Sequence, residues 1–357
     1  MESINIIKIF VMLLATIMIF AIILYKGKMK KNTTFKFLIY SFILILLHSL
    51  FFSTDVSQSV LASLHALLVM VFILLFGSSI SFKQISKILK IIIIGISIVV
   101  LVSSDISLVF MGKSHFIEGN FHGVLGNANY LGAIISIFLL PLFLTMKSRK
   151  KVYKYVNILV IINLVYVLLL TRSRASLGVF AVVLMYLYLH KIEFNKIKNY
   201  IIFIMVILPI AVIIYHIFLV DIIFKYADHD SIIGTREILW ITRIEAISQK
   251  PLLGWGYSVN NFSYISDIYQ FNAQEKGNTI LAILEELGLI LGSMFIIFLT
   301  YIFTLILRKD TLIFFKLVII ATLTHLIFET WLFNFNGLMT LIFWLIVYLA
   351  IEYDKKE

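Results

Sequence analysis

Two arginines stand two positions apart in the stretch LLLTRSRASLGV, Leu168 to Val179, where a short polar break separates two hydrophobic runs. Thr171, Arg172, Ser173 and Arg174 offer two planar cations, two hydroxyls and the first amides of the helix that follows. Guanidinium forks match phosphate oxygens bidentately and helix N-termini favour anions, so this turn suits a diphosphate. The structural alternative is that the arginines reach from helix ends to lipid headgroups. A second basic cluster lies in GTREILWITRIEAISQKPLLGWG, Gly234 to Gly256. There Arg236, Trp240 and Arg243 recur at i, i+4 and i+7 and share one helix face, a second place for phosphate or a helix lying in a membrane interface.

Other side chains suit sugars and protons. In FHGVLGNANYLGA, Phe121 to Ala133, Asn127 and Asn129 bring amide donors and acceptors to a helix start; Asn127 is also a natural cap, which leaves Asn129 the better candidate for a ligand. Trp255, between Gly254 and Gly256, offers an aromatic plane for a sugar or for lipid. Asn278 precedes NTILAILEELGLILG, which carries Glu285 and Glu286, and THLIFETWLF places His325 and Glu329 at i and i+4. Either pair suits a general base shielded from water, or an ion pair that joins helices. The eight histidines show no metal-ligand spacing and there are no cysteines, so neither a metal site nor another cofactor is expected.

The elements that position these groups are membrane helices. Of 357 residues 61% are hydrophobic and 14% charged, which excludes an ordinary soluble domain. The expected class is an all-α polytopic membrane protein, a single integral-membrane domain over 1–357. Apolar runs at 5–25, 35–52, 59–80, 88–110, 127–146, 152–170, 174–190, 200–222, 280–306, 312–330 and 337–352 predict about eleven transmembrane helices, the first an uncleaved span without a signal-peptide cleavage site. Most of the 30 Lys and Arg fall in alternate connections, at 26–36, 83–90, 147–154, 191–198, 308–309 and 355–356. By the positive-inside rule the C-terminus is cytoplasmic and the N-terminus outside. The formal charge of +11 is thereby explained as orientation signal, and no nucleic-acid partner is expected. The arginines of the TRSR turn then lie on the outer side, where topology does not call for them. So does the long loop 223–277, read as a small ordered cap of short helices lying on the outer interface.

In their order and sides, GVLGNANYLGA, LLLTRSRASLGV, R-x-x-x-W with PLLGWG, and NTILAILEELGLILG resemble the family of O-antigen ligases and O-antigen polymerases, over a core of residues 120–295. The resemblance implies a GT-C-like membrane glycosyltransferase that is metal-independent and takes a glycan from undecaprenyl diphosphate. It assigns the diphosphate to Arg172 or Arg174 together with Arg236 or Arg243. Ligases of the family carry a histidine just before the Asn of an HN-x-x-L block, proposed as the base; here Gly277 precedes Asn278. The base therefore stays open, with Glu286, at the acidic position of the family's E-L-G block, ahead of Glu285, His325 and His229, and with Glu329 also a candidate. Asn127, Asn129, Trp240, Trp255 and Asn278 are the expected glycan contacts.

The function expected from this is polymerisation of undecaprenyl-diphosphate-linked repeat units into capsular, exo- or O-antigen polysaccharide at the outer face of a bacterial plasma membrane. The donor and acceptor are both lipid-linked oligosaccharides, and a flippase and a chain-length regulator are the natural partners. A ligase of the same fold, and a non-enzymatic transporter of lipid-linked oligosaccharide, are the rivals. Transport expects charges deep in spans of both halves, whereas the first four spans hold His48, His65, terminal lysines and Asp105 toward the end of the fourth.

Overall fold

The computed structural model describes residues 33–106, 116–117, 120–146, 150–191, 235–259, 276–333, 335 and 337–353. Helices α1, Thr33–Phe52, and α2, Val56–Ser79, pack as a hairpin, and Asp55 caps α2 by accepting from the Gln58 amide at 3.0 Å. Helix α3 spans Phe82–Ile106. A two-residue antiparallel ribbon, Phe116–Ile117 with Asn120–Phe121, and a 3-10 turn, Gly123–Leu125, lead to Asn127. Asn127 starts α4, Ala128–Ile134, by accepting from the Tyr130 amide at 3.0 Å. The chain widens into a π turn at Ile135–Leu139 before α5, Leu140–Thr145. Pro141 has no N–H to return to the preceding turn, which is where such a shift in the ladder belongs.

Helices α6, Lys151–Leu170, and α7, Arg174–Lys191, flank the arginine turn. There follow α8, Thr235–Gln249; α9, Thr279–Arg308; α10, Ile313–His325; a 3-10 turn, Trp331–Phe333; and α11, Leu338–Glu352. Among the described residues six helical runs are long and apolar enough to cross a membrane: α1, α2, α3, α4–α5 together, α6 and α9. Helices α7, α10 and α11 are apolar but shorter. The expected spans at 5–25 and 200–222 lie outside the described residues. The run expected at 312–330 is helical only to His325, beyond which the chain turns toward Trp331.

Five consecutive residues of α11, Ile346 to Ala350, are buried, so every face of this helix meets protein and it forms the centre of the bundle. Helices α3 and α6 instead turn Ile91, Val99, Leu159 and Ile162 outward, a surface suited to lipid tails. The connections sort to two ends. At one end Phe82 and Tyr353 meet edge-on with centroids 5.4 Å apart, and Lys309 Nζ donates to the Ile351 carbonyl at 2.6 Å, so lysine-rich connections gather there. The other end collects residues 53–58, 250–259, 276–279 and 326–333.

Helix α9 is broken at Gly288, where φ is 70° and ψ 178°. In an unbroken helix the carbonyls of Glu285 and Glu286 would accept from the amides of Leu289 and Ile290. The segment Pro251–Gly256 takes up all four groups. Leu289 N donates to Pro251 O at 2.7 Å and Ile290 N to Leu252 O at 3.4 Å; Trp255 N donates to Glu285 O and Gly256 N to Glu286 O, each at 2.9 Å. Part of the loop expected as a cap on the interface is therefore bonded into the bundle, because backbone groups freed there must find partners inside the protein. The contact needs glycine on both sides. A Cβ at Gly288 would strike the Leu252 carbonyl, and one at Gly254 would lie 2.6 Å from the Glu286 carbonyl oxygen.

Gly288→Ala should cost about 1–3 kcal/mol from the positive φ alone, and the collision with Leu252 adds to it. Thermal unfolding in detergent should show a clearly lower Tm for this variant. Gly178→Ala, in α7 with open space where its Cβ would stand, should leave Tm unchanged.

Candidate functional site

The arginine turn is shaped by its own hydroxyls. Thr171 Oγ1 donates to the Leu168 carbonyl at 2.7 Å and accepts from the Ser173 amide at 3.3 Å, while Arg172 takes a left-handed φ of 50°. Thr171 and Ser173 are buried, Arg174 is half-buried and Arg172 is exposed. The turn lies against α4: a Cβ on Gly132 would be 2.7 Å from Ser176 Oγ and 3.1 Å from Ser173 Cβ. Asn127, Asn129, Tyr130 and Ala133, on that same helix and its cap, line a cavity of about 590 Å³. The turn that carries Arg172 and Arg174 thus packs on the helix that forms one wall of this cavity.

Another part of the wall comes from the loop segment and α9. Successive residues on a helix point about 100° apart, so adjacent glutamates face different surroundings. Glu285 is fully buried, and Arg243 Nη1 donates to its two oxygens at 2.8 and 3.1 Å, the arginine being 1% exposed. Glu286 faces the cavity: its Oε1 accepts from Lys276 Nζ at 2.6 Å and its Oε2 from the Ser258 amide at 2.8 Å. Lys276 also donates to the Val259 carbonyl at 3.0 Å and stands 3.9 Å from Glu285. Two buried cations and two carboxylates therefore balance one another, which is what lets them leave water. Between Gly256 and Ser258, Tyr257 donates to the Phe333 carbonyl at 3.1 Å. Burial, and then the charge of Glu286, hold its phenol well above the usual tyrosine range, so it is a fixed neutral donor.

Of the residues the sequence singled out, Asn127, Asn129, Glu286, His325 and Glu329 line the cavity. His325 is 1% exposed and its Nδ1 accepts from Trp331 Nε1 at 3.0 Å. Indole N–H only donates, so in the neutral ring the proton stands on Nε2 and the lone pair is given to Trp331. Arg243, Glu285, Trp240, Trp255 and Asn278 do not line the cavity but hold its walls. The fork of Arg243, expected on phosphate, is turned to Glu285, and the carboxylate of Glu285, expected as a base, is turned to Arg243. Trp240 Nε1 donates to Gly277 O at 3.2 Å, Trp255 Nε1 to Ala246 O at 2.8 Å, and Asn278 caps α9 while its Nδ2 donates to Ile327 O at 2.9 Å. Helix α8 points Ile241 and Ile244 outward and Arg243 inward, the reverse of a helix that offers its arginines to headgroups. The side chains of Arg236 and His229 lie outside the described residues.

Sequence reasoning passed over Lys276, Ser258, Tyr257, Tyr130 and His65, all in the cavity wall. Lys276 was visible as the cation beside Gly277, but only the fold brings it to Glu286. Among the described residues no group of three or more His, Asp or Glu is placed to hold a metal ion.

Removing one partner of a buried ion pair leaves the other charge stranded, at a cost of about 3–5 kcal/mol. Arg243→Met should therefore lower Tm in detergent strongly, as should Glu285→Leu. The double variant should recover most of the loss, a coupling that a double-mutant cycle of unfolding measurements would read directly.

No curated protein matches this chain. Residues 158–296 match the family model described as O-antigen ligase. That interval runs from within α6, through the arginine turn and α8, to beyond the Gly288 break, so it contains both basic clusters and the charged wall. With the arginine turn, the loop segment and the glutamate pair all inside it, the matched interval makes this helical, multi-span membrane protein similar to the O-antigen ligase family over that part of its length.

Proposed function

We propose that the protein is a membrane glycosyltransferase that moves an oligosaccharide from a polyprenyl diphosphate, of the undecaprenyl type, to a sugar hydroxyl of a second lipid-linked chain. What carries this reading is one juxtaposition. The Thr171–Arg174 turn packs on the helix that presents Asn127 and Asn129 to a cavity which also holds Glu286, His325 and Glu329. At about 590 Å³ the cavity has room for sugar rings, and Asn127, Asn129 and Glu329 in its lining are groups that bind hydroxyls. Similarity to the O-antigen ligase family supports transfer of lipid-linked glycan in a membrane setting. An eleven-span, GT-C-like arrangement with the cavity on the outer face of a bacterial plasma membrane and a cytoplasmic C-terminus belongs to the same proposal. A flippase that supplies the donor and a regulator of chain length belong to it as well.

In the step we propose, the acceptor oxygen attacks the anomeric carbon as its proton passes to a carboxylate. The bond from that carbon to the diphosphate oxygen breaks, its electron pair leaves with the diphosphate, and the anomeric configuration inverts. Arg172 and Arg174, with Arg236, meet the charge that develops on the leaving group, where fixed cations are worth most. Glu329, a carboxylate in the cavity lining, takes the proton in this reading.

Polymerase and ligase differ only in the acceptor. The matched family description favours a ligase, and Gly277 where the ligase histidine is expected favours the polymerase. Glycolipids from a deletion strain separate them: single repeat units left on the carrier mean polymerase, long polymer left on the carrier means ligase. Arg172→Ala and Glu329→Gln should each cut polymer formation by about 100-fold or more without loss of membrane-inserted protein. Arg172→Lys should stay impaired because a point charge does not reproduce the fork. Normal chain length in Arg172→Ala would remove the arginine turn from the mechanism.

A further inference from the structure

Glu286 meets the cavity from the position at which the sequence expects a base, yet its surroundings are those of a tether. Three donors reach it from the loop segment and its return. The Gly256 amide takes its backbone carbonyl at 2.9 Å, the Ser258 amide takes Oε2 at 2.8 Å, and Lys276 Nζ takes Oε1 at 2.6 Å. Lys276 in turn donates to Val259 O at 3.0 Å, so chain positions 259 and 276 stand side by side at the cavity wall. Between these points Ser258 holds a left-handed φ of 59°, which a residue with a Cβ rarely adopts. Its amide is fixed by Glu286, and its carbonyl accepts from Gln58 Nε2 of α2 at 2.7 Å. A carboxylate that leaves these bonds to accept a proton would release Ser258 and Lys276 together.

We infer that Glu286 and Lys276 are positioning residues: their ion pair fixes Tyr257 and Ser258 as a wall of the cavity and so sets the shape of the sugar-binding space. Lys276, adjacent to the place of the ligase histidine, supplies the charge that holds Glu286, and neither residue exchanges a proton with the acceptor. The kinetic part of this inference rests on the glycosyl-transfer reading; the structural part does not.

The test uses the purified full-length protein in detergent and five forms: wild type, Glu286→Gln, Glu286→Ala, Lys276→Arg and Lys276→Met. Each is measured for thermal unfolding and for transfer from a polyprenyl-diphosphate-linked oligosaccharide to a lipid-linked acceptor. Glutamine keeps an acceptor for one of the two donors, and arginine keeps the cation. Glu286→Gln and Lys276→Arg should therefore hold kcat within about threefold of wild type, with any loss in KM. Glu286→Ala and Lys276→Met should lower Tm and raise KM. Loss of a proton acceptor removes about 100-fold or more from kcat, so a loss of that size in Glu286→Gln, at unchanged KM and Tm, overturns the inference. An unchanged Tm in Glu286→Ala overturns it too. If wild type transfers no glycan, the glycosyl-transfer reading fails, and the unfolding data alone decide: a lowered Tm in Glu286→Ala and Lys276→Met upholds the tether, and no change removes it.

Discussion

The exchange of backbone hydrogen bonds at Gly288 is the constraint on which the rest of this structure depends. A helix break inside an apolar bundle frees two carbonyls and two amides where water is not at hand to take them. The segment Pro251–Gly256 supplies the complementary two carbonyls and two amides in register, so the break and the loop are stable only together. Gly254 and Gly288 let the two backbones approach closely enough for this. The turn then fixes Trp255, Tyr257 and Ser258, and the first hairpin grips it from outside: His48 Nε2 donates to Leu253 O at 2.6 Å, and Thr54 Oγ1 donates to Trp255 O at 2.9 Å.

Charge follows from that backbone arrangement. Pinning the loop against α9 brings Arg243 and Lys276 to the two glutamates, and the four groups neutralise one another in a place where a lone charge would be untenable. The consequence for chemistry is a division of the polar groups. Arg243, Glu285, Lys276 and Glu286 serve the wall, while the arginine turn packs on α4 with Arg172 exposed. The α1–α2 hairpin, which resembles no motif, has a part in this through Gln58, which holds Ser258, and through His65 in the cavity wall.

Much of the fold is legible in the chain because lipid demands it: long apolar runs, lysines in alternate connections, and Asn127 and Asn278 as helix caps. The break in α9 was legible only in part. Gly288 in EELG and the glycines of PLLGWG are visible as separate short motifs, but nothing local says that they touch. Helical spacing puts Arg236, Trp240 and Arg243 on one face, yet spacing cannot say what that face meets, and Arg243 and Trp240 turn inward to Glu285 and Gly277.

The sequence by itself determined the membrane class, the approximate course of most described spans, and the stock of cations, amides and carboxylates from which a site is built, because hydropathy, capping and charge bias act over a few residues at a time. Only the tertiary structure decided which of those groups are spent on one another. Adjacent glutamates look alike in sequence, and 100° of helix rotation sends Glu285 to Arg243 and Glu286 to the cavity wall, since whether a charge is free or paired depends on what residues far away in the chain bring within hydrogen-bonding distance.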